Sequence, residues 1–107
     1  MARKWVLMSS LDRLLILSPK AEDDFADIFQ YSLETWGEAQ AEAYRDILDK
    51  ALLAIQDNPQ IGHGRPELSA RHLIFPAGRH IIVYRVTARA ILVSRILHGR
   101  MDLGRNV

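Results

Sequence analysis

The chain has 107 residues, of which 49% are hydrophobic and 25% charged, and it contains no cysteine. This length predicts a single domain, and the composition is that of an ordinary globular protein. The absence of cysteine excludes disulfides and thiolate metal sites and fits a reducing cytoplasm, where we expect the protein to be located. The apolar run from Leu14 to Leu17 is too short to cross a bilayer, so we expect neither a membrane span nor a signal peptide.

The charged residues are divided unevenly along the chain, although the formal net charge is only +1. Residues 1–64 contain six Lys and Arg against eleven Asp and Glu, a balance of −5, whereas residues 65–107 contain eight Arg against two acidic residues, a balance of +6. The second part has no lysine, and the planar guanidinium group recognises carboxylates and phosphates with paired hydrogen bonds. The arginines therefore predict a binding surface, with a solvated strand face as the alternative for any single one.

The first elements are predicted from local signals. Residues 1–12 show no clear periodicity and are interpreted as an N-terminal extension, which precedes a domain over residues 13–107. The apolar run 13–17 predicts a short strand. Ser18-Pro19 predicts the start of a helix, because serine suits the N-cap and proline suits the first helical position.

Two helices are predicted next. Apolar residues recur at steps of three and four positions from Ala21 to Trp36, and Gly37 predicts the end of this helix. A second helix runs from about residue 38 to 56 and is stopped by Asn58-Pro59. Because almost nothing connects the two helices, they are expected to form an antiparallel hairpin. The expected apolar stripe of the second helix comprises Ala43, Ile47, Ala51, Leu52 and Ile55.

Strands are predicted in the rest of the chain. After a polar loop over residues 60–69, strand-like runs cover about 71–75, 80–86 and 91–98, separated by turn-length breaks. They are expected to form an antiparallel meander. The order β-α-α-β-β-β predicts an α+β fold, in which the helical hairpin packs on one face of a twisted, mostly antiparallel sheet.

The usual catalytic and metal-binding motifs are absent from the sequence. The four histidines do not have the spacing of a helical metal site, and there is no P-loop, no GxGxxG after a strand and no GxSxG motif. We therefore expect neither a metal nor another cofactor. The carboxylates Asp23, Asp24 and Asp27 are interpreted as a solvated helix face.

The segment 95–102 differs most from an ordinary core strand. Alternation along a strand places Arg95 and Leu97 on one face. Ile96 and His98 share the other face, so the strand carries charge at its C-terminal end. Arg95 is expected to hold the C-terminal tail in place, to pair with a helix carboxylate, or to contact a partner.

Several motifs, in order along the chain, resemble those of ParE toxins, and the resemblance covers about residues 13–107. The matching segments are 17–24 (LSPKAEDD), Tyr31-Ser32, Trp36-Gly37, 58–62 (NPQIG), 83–86 (VYRV) and 95–102 (RILHGRMD). The resemblance implies the RelE/ParE-like fold and the toxin component of a type II toxin–antitoxin system. Such a toxin inhibits DNA gyrase, arrests growth and stabilises plasmids. It is bound tightly by a ParD-like antitoxin, whose DNA-binding part would bring the toxin to operator DNA indirectly.

The related RelE proteins are ribonucleases, and the resemblance shows which positions of this chain would have to carry their catalytic residues. The positions at which RelE enzymes carry two arginines and a tyrosine correspond here to Ile81, Met101 and Val107. A non-catalytic gyrase inhibitor is therefore expected. Two alternatives stay open. One is a ribosome-dependent mRNA endoribonuclease that uses His98 with Arg100, and the other is an inactive relative that only binds its antitoxin.

Two sets of candidate contact residues follow from this resemblance and from the charge pattern. The aromatic residues Trp36 and Tyr44 of the hairpin are candidate anchors for an antitoxin helix, with the core as the alternative for both and as the favoured interpretation for Trp36. The candidate target-binding residues are Arg79, Arg85, His98, Arg100, Met101, Asp102 and Arg105, and the candidate antitoxin-binding residues are Trp36, Tyr44, Arg71 and Arg95.

Overall fold

The computed structural model describes residues 3–5 and 13–99. The elements are β1 (Arg3–Trp5), β2 (Leu14–Leu17), α1 (Pro19–Trp36), α2 (Glu38–Asp57), a 3-10 turn (Pro59–Ile61), β3 (His72–Ala77), β4 (His80–Val86) and β5 (Ala90–His98). The predicted α+β order is confirmed from β2 onward. Strand β1 was not predicted and adds an edge strand. Within the described part of the chain, neither helix is long and apolar enough to span a bilayer.

The five strands form one mixed sheet in the order β1-β2-β5-β4-β3. The predicted antiparallel meander of β3, β4 and β5 is confirmed, and β1 is also antiparallel to β2. Strand β2 instead lies parallel to β5, a pairing that requires a crossover, and the helical hairpin supplies it. Strand β3 continues through Pro76 to Ala77, two residues beyond the predicted end. An edge strand tolerates proline because one of its sides needs no backbone donor.

The start of α1 is fixed both locally and by the sheet. The Ser18 hydroxyl accepts a hydrogen bond from the amide of Ala21 at 3.0 Å and donates to the carbonyl of Ser94 at 2.8 Å. The amide of Ser18 also donates to the carbonyl of Val93 at 2.9 Å. The predicted N-cap therefore also attaches the helix to β5.

A β-bulge interrupts the pairing of β4 and β5. Arg95 pairs with Val83 while Val93 pairs with Tyr84, so Ser94 is an additional residue on β5. The extra residue changes the alternation of the strand, and Val93 and Ile96 both belong to the core beneath the helices.

The core lies mainly between the hairpin and the sheet, and a smaller cluster lies on the opposite face. That second cluster contains Ile74, Val83 and Leu97, with Leu68 and Ile81 packed against it. On α2, the predicted core residues Ala51, Leu52 and Ile55 are buried, but Ala43 and Ile47 are exposed. Ala41 and Leu48 are buried in place of these two. The first half of α2 has apolar residues on two adjacent stripes, and only packing against the sheet distinguishes them.

Candidate functional site

An open pocket of about 500 Å³ lies where the hairpin meets the start of β4 and the end of β5. We call it the aromatic pocket. It is lined by Asp27, Ile28, Tyr31, Ser32 and Trp36 of α1, Gln40 and Tyr44 of α2, and Arg79, His80 and His98 of the sheet end. Its volume falls in the range of roughly 300–1,000 Å³ that is typical of small-molecule sites.

Tyr44 connects α2 to the β3–β4 turn beside the pocket. Its hydroxyl lies 2.6 Å from Nδ1 of His80, accepts the amide of Arg79 at 2.8 Å and lies 3.3 Å from the carbonyl of Ala77. The turn contains Gly78 at φ +61°, and a Cβ at that position would lie 2.7 Å from the Tyr44 ring. The glycine therefore allows both the left-handed turn and its close approach to Tyr44.

His80 and His98 form the histidine pair of the pocket. They are cross-strand partners whose ring centroids lie 5.5 Å apart, edge to face. Burial lowers the pKa of His80, and nearby His98 lowers it further, while Asp24 partly offsets these effects. The Tyr44 hydroxyl has one hydrogen to donate, to the Ala77 carbonyl or to Nδ1 of His80, and the tautomer of His80 determines which of the two accepts it.

Asp24 holds the bulge beside this pair. Its carboxylate accepts Arg95 Nε at 2.8 Å and Nη2 at 2.9 Å, and it also accepts the backbone amide of Ile96 at 2.9 Å. The hydrogen bond to Asp24 raises the pKa of Arg95. The interpretation of Asp24 as a solvated residue is thus wrong, whereas Asp23 and Asp27 are exposed as expected. Arg95 pairs with a helix carboxylate, and its contact with an antitoxin stays a prediction.

Two aromatic side chains of α1 are exposed at the pocket. Tyr31 is 64% exposed and Trp36 is 58% exposed. The favoured interpretation of Trp36 as a core residue is therefore wrong. Tyr31 was not among the candidate residues, because it lies beside the apolar stripe rather than on it. Exposed aromatic residues grouped at a concave surface are typical of binding sites.

The candidate target-binding residues do not lie on one surface. Arg79 and His98 are exposed at the aromatic pocket. Arg85 lies on the other face of the sheet, where it is the cross-strand partner of His72. Burial lowers the pKa of His72, and Arg85 lowers it further. The remaining candidates, Arg100, Met101, Asp102 and Arg105, lie outside the described residues, as does Val107.

The candidate antitoxin-binding residues are similarly divided. Trp36 and Tyr44 line the aromatic pocket. Arg71 is exposed just before β3, at the far edge of the sheet. The pocket thus brings Trp36 and Tyr44, which are predicted to bind the antitoxin, together with Arg79, which is predicted to bind the target. Among the described residues, no group of three or more His, Cys, Asp or Glu side chains is arranged to hold a metal ion.

The chain is similar to known toxins. Residues 15–103 match the family model described as ParE toxin of type II toxin-antitoxin system, parDE. Toxin ParE1 of Mycobacterium tuberculosis is 37% identical over 93 residues, covering 86% of this chain and 95% of that protein. Toxin ParE1 of Caulobacter vibrioides is 34% identical over 86 residues, covering 80% and 88%. A chain of the solved "Chromosomal ParDE TA system from P. aeruginosa" superposes with a TM-score of 0.67 at 19% identity, covering 77% of this chain and 90% of that chain. This last likeness concerns the fold alone.

Proposed function

We propose that this chain, which belongs to the ParE toxin family of type II toxin–antitoxin systems, inhibits DNA gyrase in the cytoplasm and catalyses no reaction of its own. The observation that supports this most is the aromatic pocket, where exposed aromatic and cationic side chains converge. Ile81, at a position where RelE ribonucleases carry an arginine, packs against the apolar cluster on the opposite face of the sheet. That environment suits a structural residue rather than a catalytic cation.

A ParD-type antitoxin is the proposed partner that neutralises the toxin. Its helix would lie along the open side of the hairpin and insert an apolar side chain beside Trp36, above the ring of Tyr44. Acidic antitoxin residues would pair with the exposed Arg71 at the sheet edge. Arg95 acts indirectly in this proposal, because its pairing with Asp24 holds the end of β5 in place. Contact with operator DNA would occur through the antitoxin.

The proposed target contact uses the same end of the molecule. Arg79 and His98 lie at the pocket, and Arg100, Met101, Asp102 and Arg105 follow them in the sequence. Arg85 would make a separate contact from the opposite face of the sheet. The antitoxin and the target would then compete, since both would occupy the aromatic pocket.

The experiment that tests this proposal measures DNA supercoiling and DNA cleavage by purified gyrase, beside a ribosome-dependent mRNA cleavage assay. Inhibited supercoiling with gyrase-linked DNA and intact mRNA is the expected result. Arg79→Glu should weaken this inhibition, and Arg89→Glu is the matched control because Arg89 is an exposed arginine at the opposite end of β4. Normal supercoiling with the native chain would refute the gyrase assignment.

A ribonuclease is the second candidate function, and one observation favours it. RNA cleavage through the 2′-hydroxyl requires a base, an acid and a cation. His98 is accompanied by His80 and Arg79 in the aromatic pocket, which supplies candidates for all three. Cut mRNA with normal supercoiling would support this candidate, and His80→Ala should then abolish cleavage. If the chain neither inhibits gyrase nor cleaves mRNA, the results would favour a relative that only binds its antitoxin.

A further inference from the structure

We propose that the aromatic pocket binds a nucleotide, with the base against Trp36 and Tyr31 and the phosphate against Arg79 and His98. The inference deepens the proposed function, because it names the chemical group that a nucleic-acid-containing target would present to this toxin. Nucleotide binding itself can be measured without gyrase.

The helix side of the pocket is suited to a base. Tyr31 and Trp36 are both more than half exposed and line the pocket together with Ile28. Large aromatic rings at a concave surface offer stacking platforms, and every nucleobase has a face that can stack on them. The pocket is also open at one side, which suits a ligand that belongs to a strand.

The sheet side of the pocket is suited to a phosphate. The backbone of Arg79 is held at both ends, because its amide donates to the Tyr44 hydroxyl at 2.8 Å and its carbonyl accepts the amide of Gly99 at 3.1 Å. Its guanidinium group nevertheless remains exposed. The fixed backbone sets where the Arg79 side chain begins, and an exposed guanidinium group can pair with a phosphate at the pocket. His98 and its cross-strand partner His80 line the same end of the pocket as Arg79.

Polar groups on the helix side of the pocket favour one orientation of the bound nucleotide. Asp27 and Gln40 line the helix wall of the pocket. A carboxylate repels a phosphate but accepts hydrogen bonds from the amino groups of bases, and an amide can both donate and accept. The base is therefore favoured toward the helices and the phosphate toward the sheet end. A simple anion would leave the aromatic wall uncovered, and an aliphatic ligand would leave Arg79 without a counter-charge.

The test is isothermal titration of the full-length chain with dAMP, deoxyadenosine, inorganic phosphate and a five-residue single-stranded oligonucleotide. Binding of dAMP should exceed that of deoxyadenosine and of phosphate at least tenfold. Trp36→Leu and Arg79→Gln should each weaken dAMP binding at least tenfold. The matched controls are Ile47→Ala, an exposed apolar residue outside the pocket, and Arg89→Gln, an exposed arginine far from it, and they should change binding less than twofold.

The oligonucleotide distinguishes two sources of the ligand, since tighter binding than dAMP indicates a nucleotide within a strand and equal binding indicates a free nucleotide. No binding of dAMP at millimolar concentration by the folded chain would overturn the inference. The inference would also be overturned if inorganic phosphate bound as tightly as dAMP, or if the two pocket variants and the two control variants all bound dAMP with equal affinity. Gyrase inhibition without nucleotide binding would overturn the inference alone. Nucleotide binding without gyrase inhibition would overturn only the proposed function.

Discussion

Tyr84 and Tyr44 each close a loop of this fold with the phenol hydroxyl, and they differ in what surrounds them. Tyr84 is fully buried, donates to the carbonyl of Pro59 at 2.8 Å and accepts the amide of Gly62 at 2.9 Å. Burial raises the pKa of this phenol, and the Gly62 amide partly offsets the rise. Tyr44 is half-buried and makes equivalent bonds to the β3–β4 turn, but its ring also lines an open pocket.

Tyr84 and Tyr44 each hold a loop through the hydrogen bonds of the phenol hydroxyl, but these two anchors serve different purposes. The Tyr84 anchor joins two motifs of the family resemblance, Asn58–Gly62 and the strand around Val83, and it is enclosed on all sides. We expect it to contribute to stability alone. The Tyr44 anchor is partly open to solvent, so it should contribute less to stability, while it determines where Arg79 and His80 are presented.

The largest loss of stability is expected from Tyr84→Phe. The substitution leaves the Gly62 amide and the buried Pro59 carbonyl without their partner, which should lower the free energy of unfolding by about 1–3 kcal/mol. Urea denaturation measures this. Antitoxin and target binding of the folded variant should be unchanged. A fully stable variant with weakened binding would reverse the roles assigned to the two tyrosines.

Gly78→Ala should have the next largest effect. It forces an L side chain into the left-handed region at φ +61° and places its Cβ 2.7 Å from the ring of Tyr44. The backbone conformation alone should lower the free energy of unfolding by about 1–2 kcal/mol. The matched control is Gly64→Ala, because a Cβ there meets nothing within 4 Å and Gly64 lacks a positive φ. Thermal unfolding of the two variants should differ clearly, and equal midpoints would contradict the strained turn.

Tyr44→Phe should destabilise the chain less, by about 0.5–1.5 kcal/mol, because the freed Arg79 amide lies in an exposed turn where water can replace the hydroxyl. The effect on function should be larger than that of Tyr84→Phe. Growth arrest on expression of the variant, compared with the native chain and with Tyr84→Phe, measures it. Full toxicity of Tyr44→Phe would show that the pocket does not depend on this anchor.

The smallest effect is a dependence of stability on pH. In the folded chain the pKa of His80 lies below its ordinary value of 6.5, so the unfolded chain binds a proton first as the pH falls. The contribution of His80 to stability is therefore complete above pH 6.5 and is lost as the pH falls through the folded pKa. His80→Asn keeps an acceptor for the Tyr44 hydroxyl. In this variant the free energy of unfolding, measured at several pH values, should change less between pH 7.5 and 5.5, roughly the interval around the ordinary histidine pKa. His72→Asn removes the second histidine whose pKa is lowered. If the free energy of unfolding of the double variant depends on pH as strongly as that of the native chain, the two histidines are not the cause of the dependence.

The bounds of the helices were predictable because their signals are local. Ser18 and Pro19 define the start of α1, Gly37 separates the helices, and Asn58-Pro59 follows α2. The stripe of α2 was only partly predictable. Ala43 and Ile47 have the correct spacing and hydrophobicity, but the sheet contacts the neighbouring stripe of Ala41 and Leu48.

The candidate site was predictable as a set of residue types and not as an arrangement. Arg79, His98, Trp36 and Tyr44 were each selected from the sequence, yet nothing local indicated that they share a pocket. Tyr31 belongs to a motif of the family resemblance but was not selected as a binding residue, because it lies beside the apolar stripe of α1, and His80 belongs to no recognisable motif. Asp24 was misinterpreted since its partners, Arg95 and the Ile96 amide, are about seventy positions away in the chain.

By itself the sequence determined the order of the elements from β2 onward, the hairpin and the α+β class, because capping residues and hydrophobic periodicity act over a few neighbouring positions. Only the tertiary structure decided the parallel pairing of β2 with β5, the bulge at Ser94 and the meeting of Tyr44, His80 and His98. These features depend on contacts between residues far apart in the chain. Their geometry is set by how the hairpin packs on the sheet, which no local pattern of residues encodes.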